Sequence, residues 1–370
     1  MTGLKILHVA DCHLDRPFVG LAREAAEDRR RGLRAAVERA LAAAAEHDVD
    51  VITIGGDLWE DEHVRPDTRA FLAGALERCG VPVLIVAGNH DPLLPGGVYD
   101  RTAWPANAHV FPPGSLSEFP LGDLSIWGAS WGAEPLRIAD ALATFRVPDD
   151  GRRHILLVHG TSDGHGFADE GAPGSFTASA VRDAGFALAL VGHIHAGSVR
   201  DGVVYPGSPE PLNRKETGTH AVALIDDADV TLLPINAWHY ADVEAACDGA
   251  ASSADVERTV VSALPERRSR ELIVRLTLTG TVASGCEIDV GLLTDMHGAE
   301  LGGLEVIDAT VRPYDVDLLA SRPTALGRFV TSMQARIDAA DGEAERQVAE
   351  LALHLGVAAM NAEAVLPRVD

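Results

Sequence analysis

VAGNHDPL, residues 86–93, places an amide, an imidazole and a carboxylate directly after an apolar run. Four other apolar runs in the first 200 residues also end in polar side chains. Runs this uniformly apolar are typical of parallel strands that are buried on both faces. Helical stretches lie between the first three runs, so the order of elements predicts an α/β domain. The five runs are KILHVA (5–10), DVITIGG (50–56), VPVLIVAG (81–88), RRHILLVHG (152–160) and ALALVGH (187–193).

Length and composition indicate a globular chain of more than one domain. The 370 residues exceed one ordinary domain, and 46% hydrophobic with 23% charged residues is typical of folded proteins. We expect a first domain over 1–240, a linker or irregular crossing near 240–252, and a smaller α+β domain over 241–370. Helices of the second domain are expected at about 253–264, 324–340 and 343–358.

Charge and cysteine usage restrict the classes of partner and compartment. The net charge of -24 argues, taken alone, against a nucleic-acid partner, because duplex binding relies on basic side chains. Cys12, Cys79, Cys247 and Cys286 form no CxxC pair, which favours a reducing interior over a disulfide framework or a cysteine zinc site. Without a signal-peptide core or a long apolar segment, we expect a soluble cytoplasmic protein with no membrane partner.

The polar clusters at the run ends contain side chains that bind divalent cations. Ligand sites in open α/β sheets gather outside the carboxyl ends of strands, so five such clusters indicate a single constellation. Nitrogen and oxygen donors without thiolate suit Mn, Fe, Zn or Co. Two divalent ions facing only two carboxylates keep an excess of positive charge, which attracts phosphate despite the acidic chain. The candidate ligands are Asp11, His13, Asp57, Asn89, His159, His193 and His195.

Spacing suggests which ligands meet. Residues i and i+2 of an extended chain point to the same side, so Asp11 and His13 can share one metal. The same spacing allows His193 and His195 to share one. His159 is the weakest candidate, because a lone histidine at a strand end is more often structural. The neighbouring His154 and His165 could replace it.

The motifs D-x-H, G-G-D, G-N-H-D, H-G and G-H-x-H, in this order, resemble the calcineurin-like metallophosphoesterase superfamily over residues 5 to about 235. The resemblance implies a four-layer fold, two mixed β-sheets flanked by helices, followed by an α+β capping domain. It also implies a metal-dependent phosphoesterase. The flanking segments are similar to the branch of DNA-repair exonucleases typified by SbcD and YhaO. These segments are HVADCHLDRPF (8–18), IGGDLWE (54–60), VGHIH (191–195), VVYPGSPEP (203–211) and KETG (215–218).

The same resemblance implies roles for individual residues. His90 corresponds to the family's catalytic histidine, which stabilises the scissile phosphate and protonates the leaving 3′ oxygen. Asp91 is expected to orient His90 by accepting its other N–H. Some nucleases of this branch carry histidine where this chain has Glu60, three residues beyond Asp57. The resemblance implies two metal ions, preferably Mn(II), one held by Asp11, His13, Asp57 and His195 and the other by Asp57, Asn89, His159 and His193.

Function and partners follow as expectations from the resemblance. It implies a two-metal DNA exonuclease, 3′ to 5′, that acts on DNA ends in double-strand-break repair. It implies an SMC-like ABC ATPase of the SbcC or YhaN type as partner, and because this chain lacks the G-x-x-x-x-G-K-[ST] phosphate loop, any ATP-driven step must come from another subunit. A homodimer through the phosphoesterase domain is also implied. Arginines near the motifs, Arg16, Arg65, Arg101 and Arg214, are candidates for phosphate contact.

Three alternatives stay open. The acidic charge favours a phosphodiesterase or phosphatase for small nucleotides, whereas a second domain favours a nuclease. A non-catalytic subunit of a repair complex, with structural metals only, is the third reading. The helical stretches within 324–358 either offer an apolar stripe to the coiled coil of the ATPase or pack onto their own domain.

Overall fold

The first of two compact units contains most of the regular structure. The structure, a computed structural model, describes residues 4–19, 21, 23–164, 174–312 and 314–360. The first unit extends to Ala241 and includes Glu271–Ile273, and the second contains the remaining residues. Strands of the first unit are β1 (Lys5–Val9), β2 (Val51–Gly55), β3 (Val83–Val86), β4 (Ala108–Val110), β5 (Ser117–Leu121), β6 (Leu124–Gly128), β7 (Arg153–His159), β8 (Thr161–Ser162), β9 (Ser175–Phe176), β10 (Leu188–Gly192), β11 (Ser198–Arg200), β12 (Val203–Tyr205), β13 (Ala221–Asp226) and β14 (Asp229–Pro234). Its helices are α1 (Arg23–Glu46), α2 (Pro66–Cys79), α3 (Ile138–Thr144) and α4 (Ala178–Asp183).

The strands form two large mixed sheets. The first has the order β14-β13-β1-β2-β3-β4, with β1 to β4 parallel and β13 antiparallel to β1. The second has the order β11-β12-β10-β7-β6-β5, and β6, β7, β10 and β12 run parallel. The predicted strands β1, β2 and β3 are therefore neighbours in the first sheet, and β7 and β10 are neighbours in the second. Most of their residues are apolar because both faces of each strand are covered.

Apolar clusters show how the layers stack. Ile6 and Leu84 of the first sheet share one buried cluster with Ile155 and Leu190 of the second, so the sheets face each other. The outer face of the first sheet packs against α1 and α2, and the outer face of the second packs against α3 and α4. This order of helix, sheet, sheet and helix confirms the predicted fold of two mixed sheets flanked by helices.

Helix α2 illustrates how the sequence sets element bounds. It begins with Pro66, whose fixed φ suits the first helical turn, and ends at Cys79 before Gly80. Gly80 has φ 72°, the left-handed conformation that closes a helix without the steric cost of a β-carbon. The helix therefore stops where β3 must start, only a few residues before the GNHD motif.

The second unit is an α+β arrangement. Its sheet has the order β15-β16-β17, and α8 packs against α9 through Val330, Leu353 and Val357. The expected linker near 240–252 is wrong in its first half, because residues there form β15. Among the described residues, no helix is long and apolar enough to cross a bilayer. The elements are β15 (His239–Ala246), α5 (Ser253–Ala263), β16 (Leu272–Thr279), α6 (Val290–Gly298), β17 (Gly303–Asp308), α7 (Val316–Ser321), α8 (Ala325–Asp338) and α9 (Glu343–Met360).

Candidate active site

The candidate ligands lie at the carboxyl ends of five parallel strands. Several have a left-handed backbone although none is glycine: φ is 54° at Asp11, 43° at His13, 50° at Asp57 and 101° at His193. Each such residue costs about 1–2 kcal/mol, and strain of this kind clusters at functional sites. The expectation of an extended chain at Asp11 and His13 is therefore wrong, since the backbone turns sharply at both positions. The turns aim both side chains at the same point.

Asp11, His13 and His195 form the first donor cluster, with ligand atoms within 4.8 Å of one another. His13 Nε2 lies 3.2 Å from His195 Nε2. The other ring nitrogens of these histidines donate to carboxylates, His13 Nδ1 to Glu60 Oε1 at 3.0 Å and His195 Nδ1 to Glu216 Oε1 at 2.9 Å. In its neutral form, each ring therefore presents a lone pair at Nε2. A cation bound between the two rings would be coordinated by both nitrogens.

Asp57, His159 and His193 form the second cluster. His159 Nδ1 donates to the carbonyl of Gly55 at 2.8 Å, which leaves Nε2 facing Asn89 Oδ1 at 2.9 Å. Asn89 Oδ1 also lies 3.0 Å from His193 Nδ1. His193 and His195 thus belong to different clusters, as the family resemblance implies, although their spacing alone would have allowed them to share one metal. The reason is the turn at His193, which directs neighbouring side chains to opposite sides.

Asp57 lies between the two clusters. Its Oδ2 is 3.6 Å from His13 Nε2 of the first cluster and 3.3 Å from His159 Nε2 of the second. Its Oδ1 accepts the backbone N–H of His90 at 2.9 Å, which fixes the carboxylate. A β-carbon at Gly88 would lie 2.2 Å from this oxygen, so only glycine fits there. One carboxylate is thus placed to serve both clusters.

The donor set fits two divalent cations. Nitrogen and oxygen donors converge with outer acceptors that fix the ring tautomers, the arrangement that orients metal-binding histidines. Burial alone would lower the pKa of His159, but the charges of Asp57 and Asp11 raise it to about 9. The two carboxylates therefore stabilise a positive charge at His159 by more than burial destabilises it. Burial and the neighbouring His159 lower the pKa of His193 to about 4, so its ring is neutral and can act as a ligand.

His90 stands beside the first cluster, with 43% of its side chain exposed. Its Nδ1 donates to Glu60 Oε2 at 3.0 Å. This hydrogen bond to Glu60 raises the pKa of His90 above its ordinary value. The other carboxylate oxygen of Glu60 accepts from Arg16 Nη1 at 2.8 Å as well as from His13. Glu60 therefore orients His90, a metal-cluster histidine and an arginine together.

The expectation that Asp91 orients His90 is wrong. Asp91 is completely buried, and its oxygens accept from the backbone N–H groups of Gly88, Asp57 and Leu58 and from the hydroxyl of Tyr99. Four donors fill the carboxylate, so no position is left for an imidazole. Burial and the charge of Asp57 raise the pKa of Asp91 to about 7, and the donors oppose that rise. Asp91 thus links the loop after β2, which contains Asp57 and Leu58, to the loop after β3, which contains Gly88.

The predicted phosphate-contact arginines separate into two pairs. Arg16 and Arg214 line a cavity that also contains His90. Arg65 instead bonds through Nη2 to Asp15 Oδ1 at 3.2 Å, at the start of α2. Arg101 does not line the cavity either, and its backbone carbonyl accepts from Arg69. The structure therefore brings two of the four arginines to the candidate site.

Sequence reasoning missed the outer acceptors. Glu60 was visible only as a departure from the histidine of related nucleases, and Glu216 only as part of KETG. Of the two alternatives to His159, His154 is excluded, because its nitrogens bond to Trp127 and Asp150. His165 lies outside the described residues.

Comparisons with known proteins identify a family and several similar chains. The model of the calcineurin-like phosphoesterase family matches residues 4–197. The chain is 33% identical over 240 residues to YhaO of Bacillus subtilis strain 168, an uncharacterized metallophosphoesterase, covering 61% of this chain and 58% of that protein. It is 27% identical over 236 residues to the DNA double-strand break repair protein Mre11 of Haloferax volcanii, covering 60% of this chain and 49% of the relative. The chain thus spans about half the length of these relatives. A solved structure, TT1561 of Thermus thermophilus, is similar with a TM-score of 0.39 and 16% identity, over 64% of this chain and 100% of that one.

Proposed function

The chain belongs to the calcineurin-like phosphoesterase family, and we propose that it is a two-metal-dependent DNA exonuclease that removes nucleotides from 3′ ends. The predicted enzyme class, a metal-dependent phosphoesterase, is confirmed at the level of the family. The nuclease activity and the preference for Mn(II) over Fe, Zn or Co are parts of the proposal. Mixed nitrogen and oxygen donors are compatible with each of these metals.

The position of Asp57 carries the two-metal proposal. A carboxylate within 3.6 Å of donors from both clusters can bridge two cations. When bound, the cation pair supplies charge neutralisation of the phosphate and an activated water molecule. The ligands are assigned by cluster, Asp11, His13 and His195 to one cation and Asn89, His159 and His193 to the other, with Asp57 between them.

His90 supplies the proton that the reaction needs. A new bond forms between water oxygen and phosphorus while the bond from phosphorus to the 3′ oxygen breaks, and that oxygen must take a proton. Glu60 occupies His90 Nδ1, which leaves Nε2 as the nitrogen that transfers it. His90 directly follows Asn89 in the turn of residues 88–91, so the position of the proton donor is coupled to that of a candidate metal ligand.

DNA is the proposed substrate because of two supporting observations. Mre11 of Haloferax volcanii, with which this chain shares 27% identity, is a DNA double-strand break repair protein. Arg16 and Arg214 stand beside His90, where they can bind phosphates that flank the scissile one. Local positive charge at the cations and these arginines offsets the net charge of -24 at this place.

The proposed partner is an SMC-like coiled-coil ABC ATPase in the cytoplasm. Helix α9 buries Leu353 and Val357 within its own unit, yet leaves Val348 67%, Leu351 58% and Leu355 37% exposed. One apolar side of α9 therefore packs within its own unit, and the other side is available to the coiled coil of a partner. An exposed row at positions i, i+3 and i+7 has the spacing that packs against another helix. Loss of ATPase binding in Leu351→Glu, tested by co-purification, is the outcome this predicts.

Degradation of linear duplex DNA tests the nuclease proposal. Purified protein with Mn(II) is incubated with duplexes labelled at the 3′ or the 5′ end, and products are separated by size. We expect release of single nucleotides from the 3′ label first. His90→Ala should reduce the rate by about 100-fold or more while metal content persists, because only proton transfer is lost.

The same preparation distinguishes the competing readings. Turnover of small cyclic or linear nucleotides without any action on DNA contradicts the exonuclease and favours a small-nucleotide phosphodiesterase. Equal behaviour of wild type and His90→Ala on both substrate classes favours a non-catalytic subunit. Shortening from the 5′ label reverses the proposed polarity but keeps the chemistry.

A further inference from the structure

A cavity of about 600 Å³ lies beside His90, within the first unit. One part of its lining is polar, because Arg16, Glu60 and His90 are joined by hydrogen bonds of 2.8 and 3.0 Å. The other part is apolar and aromatic. A site that only held phosphate would need no such wall. The apolar lining consists of Pro17, Phe18, Val19, Leu21, Leu212 and Tyr240.

Arg29 of α1 holds the aromatic residues of this wall. Its guanidinium carbon lies 5.0 Å from the ring centre of Phe18, 5.6 Å from that of Tyr240 and 4.5 Å from that of Trp238. Arg29 is 1% exposed, and its Nε and Nη1 have no hydrogen-bond partner among the described residues. Arg29 Nη2 donates to the carbonyl of Pro211, and the aromatic faces and the nearby charge of Glu210 also compensate for this buried charge. The rings are fixed by an interaction that would be costly to remove.

Another residue of the apolar lining, Leu212, is linked by hydrogen bonds to the first donor cluster. Leu212 donates its backbone N–H to Glu216 Oε2 at 2.7 Å, and Glu216 Oε1 accepts from His195. Phe18 has φ 50°, so the chain keeps a bulky residue in a left-handed conformation at this position. Strain of this kind persists where a side chain must stand at a particular place. The hydrogen bonds of Glu216 fix the position of Leu212 in the cavity lining relative to His195 of the donor cluster.

Size and chemistry select the ligand class. A volume of about 600 Å³ falls within the range of small-molecule pockets, which accommodates one nucleotide but not a stacked duplex. Aromatic side chains bind bases by stacking, whatever the base, and arginines bind the phosphates on either side. We infer that this cavity is the subsite for the unpaired nucleobase next to the scissile phosphate, with the partly exposed Tyr240 as its stacking ring and the buried Phe18 completing the aromatic lining. The inference rests on the proposed function and restricts its substrate to frayed or single-stranded ends.

Equilibrium binding tests the inference without relying on turnover. Calorimetric titration with Mn(II) present compares deoxyadenosine 5′-monophosphate with 2-deoxyribose 5-phosphate, which has the same phosphate and sugar but no base. Wild type should bind the nucleotide about tenfold more tightly or better, the order expected for one stacked base. Tyr240→Ala should lose this preference, while Tyr240→Phe should keep it within about twofold.

Controls keep the result decisive. Phe18→Leu, which preserves apolar volume but removes the ring, should also weaken the preference, so a poorly folded Tyr240→Ala protein does not end the test. Tyr314→Ala, a tyrosine of the second unit, should bind like wild type. Equal affinity of wild type for both ligands overturns the inference, as does an undiminished preference in both cavity variants. Base-dependent binding by a chain that degrades no DNA would overturn the exonuclease and leave the subsite standing.

Discussion

Glu60 Oε2 accepts a hydrogen bond from His90 Nδ1 at 3.0 Å. The same carboxylate accepts from His13 and from Arg16, so the proposed proton donor is connected to one donor cluster through a single side chain. This residue replaces the histidine that some related nucleases carry at the position. A carboxylate can accept from three groups at once, which a histidine cannot.

Glu60→Ala should lower turnover by about 10- to 100-fold, the range found when groups that orient metal-binding histidines are removed. Glu60→Gln should lose less, because its amide oxygen still accepts one of the hydrogen bonds. Steady-state rates on labelled DNA or a small phosphodiester measure both variants. Glu62→Gln, an exposed acid two residues away, is the matched control and should equal wild type. A rate within twofold of wild type for Glu60→Ala would contradict this role.

Asn89→Ala should lower metal occupancy, because Asn89 Oδ1 faces both histidines of the second cluster at 2.9 and 3.0 Å. Metal per chain, measured by mass spectrometry after dialysis against limiting Mn(II), should fall by up to one ion. The neighbouring His90→Ala protein provides the comparison and should keep wild-type content. Equal loss in both variants would mean that the turn itself, rather than the amide oxygen, controls binding.

Gly88→Ala should impair metal binding although the residue carries no donor side chain. The added β-carbon would lie 2.2 Å from Asp57 Oδ1, so the shared carboxylate must move. We expect lower metal content and at least a tenfold loss of turnover, since small displacements of a catalytic group are costly. Gly74→Ala in α2 is the control: the nearest atom lies 3.4 Å away, and stability should rise by about 0.5–1 kcal/mol.

Asp91→Ala should act mainly on stability. Removal of the carboxylate leaves three buried backbone N–H groups and the Tyr99 hydroxyl without their acceptor. At about 1–3 kcal/mol for each unsatisfied group, the free energy of unfolding should fall by about 3 kcal/mol or more. Tyr99→Phe removes only one donor and should cost about 1 kcal/mol. Urea unfolding checks both, and an unchanged midpoint for Asp91→Ala would restore the case for a direct role at His90.

The sequence by itself determined the parallel strands and the polar residues that end them. Apolar runs from 5–10 to 187–193 indicate buried strands, and sheet geometry requires that side chains at their carboxyl ends meet. Asp11 and Asp57 could therefore be assigned to one site from the sequence, whereas the choice of His159 over His154 needed the fold. Helix α2 was equally readable, because Pro66 and Gly80 act through local backbone conformation alone.

Residue spacing left open how the ligands divide, and only the tertiary structure decided which side chains orient them. His193 and His195 are two residues apart, yet the turn at His193 sends them to different clusters. Glu60 has the orienting role that was expected of Asp91, because Glu60 lies within hydrogen-bond distance of His90 and Asp91 already accepts from four donors. Hydrogen bonds between residues 30 to 180 positions apart have no periodic signature in a sequence. They exist only once the two sheets bring their strand ends together.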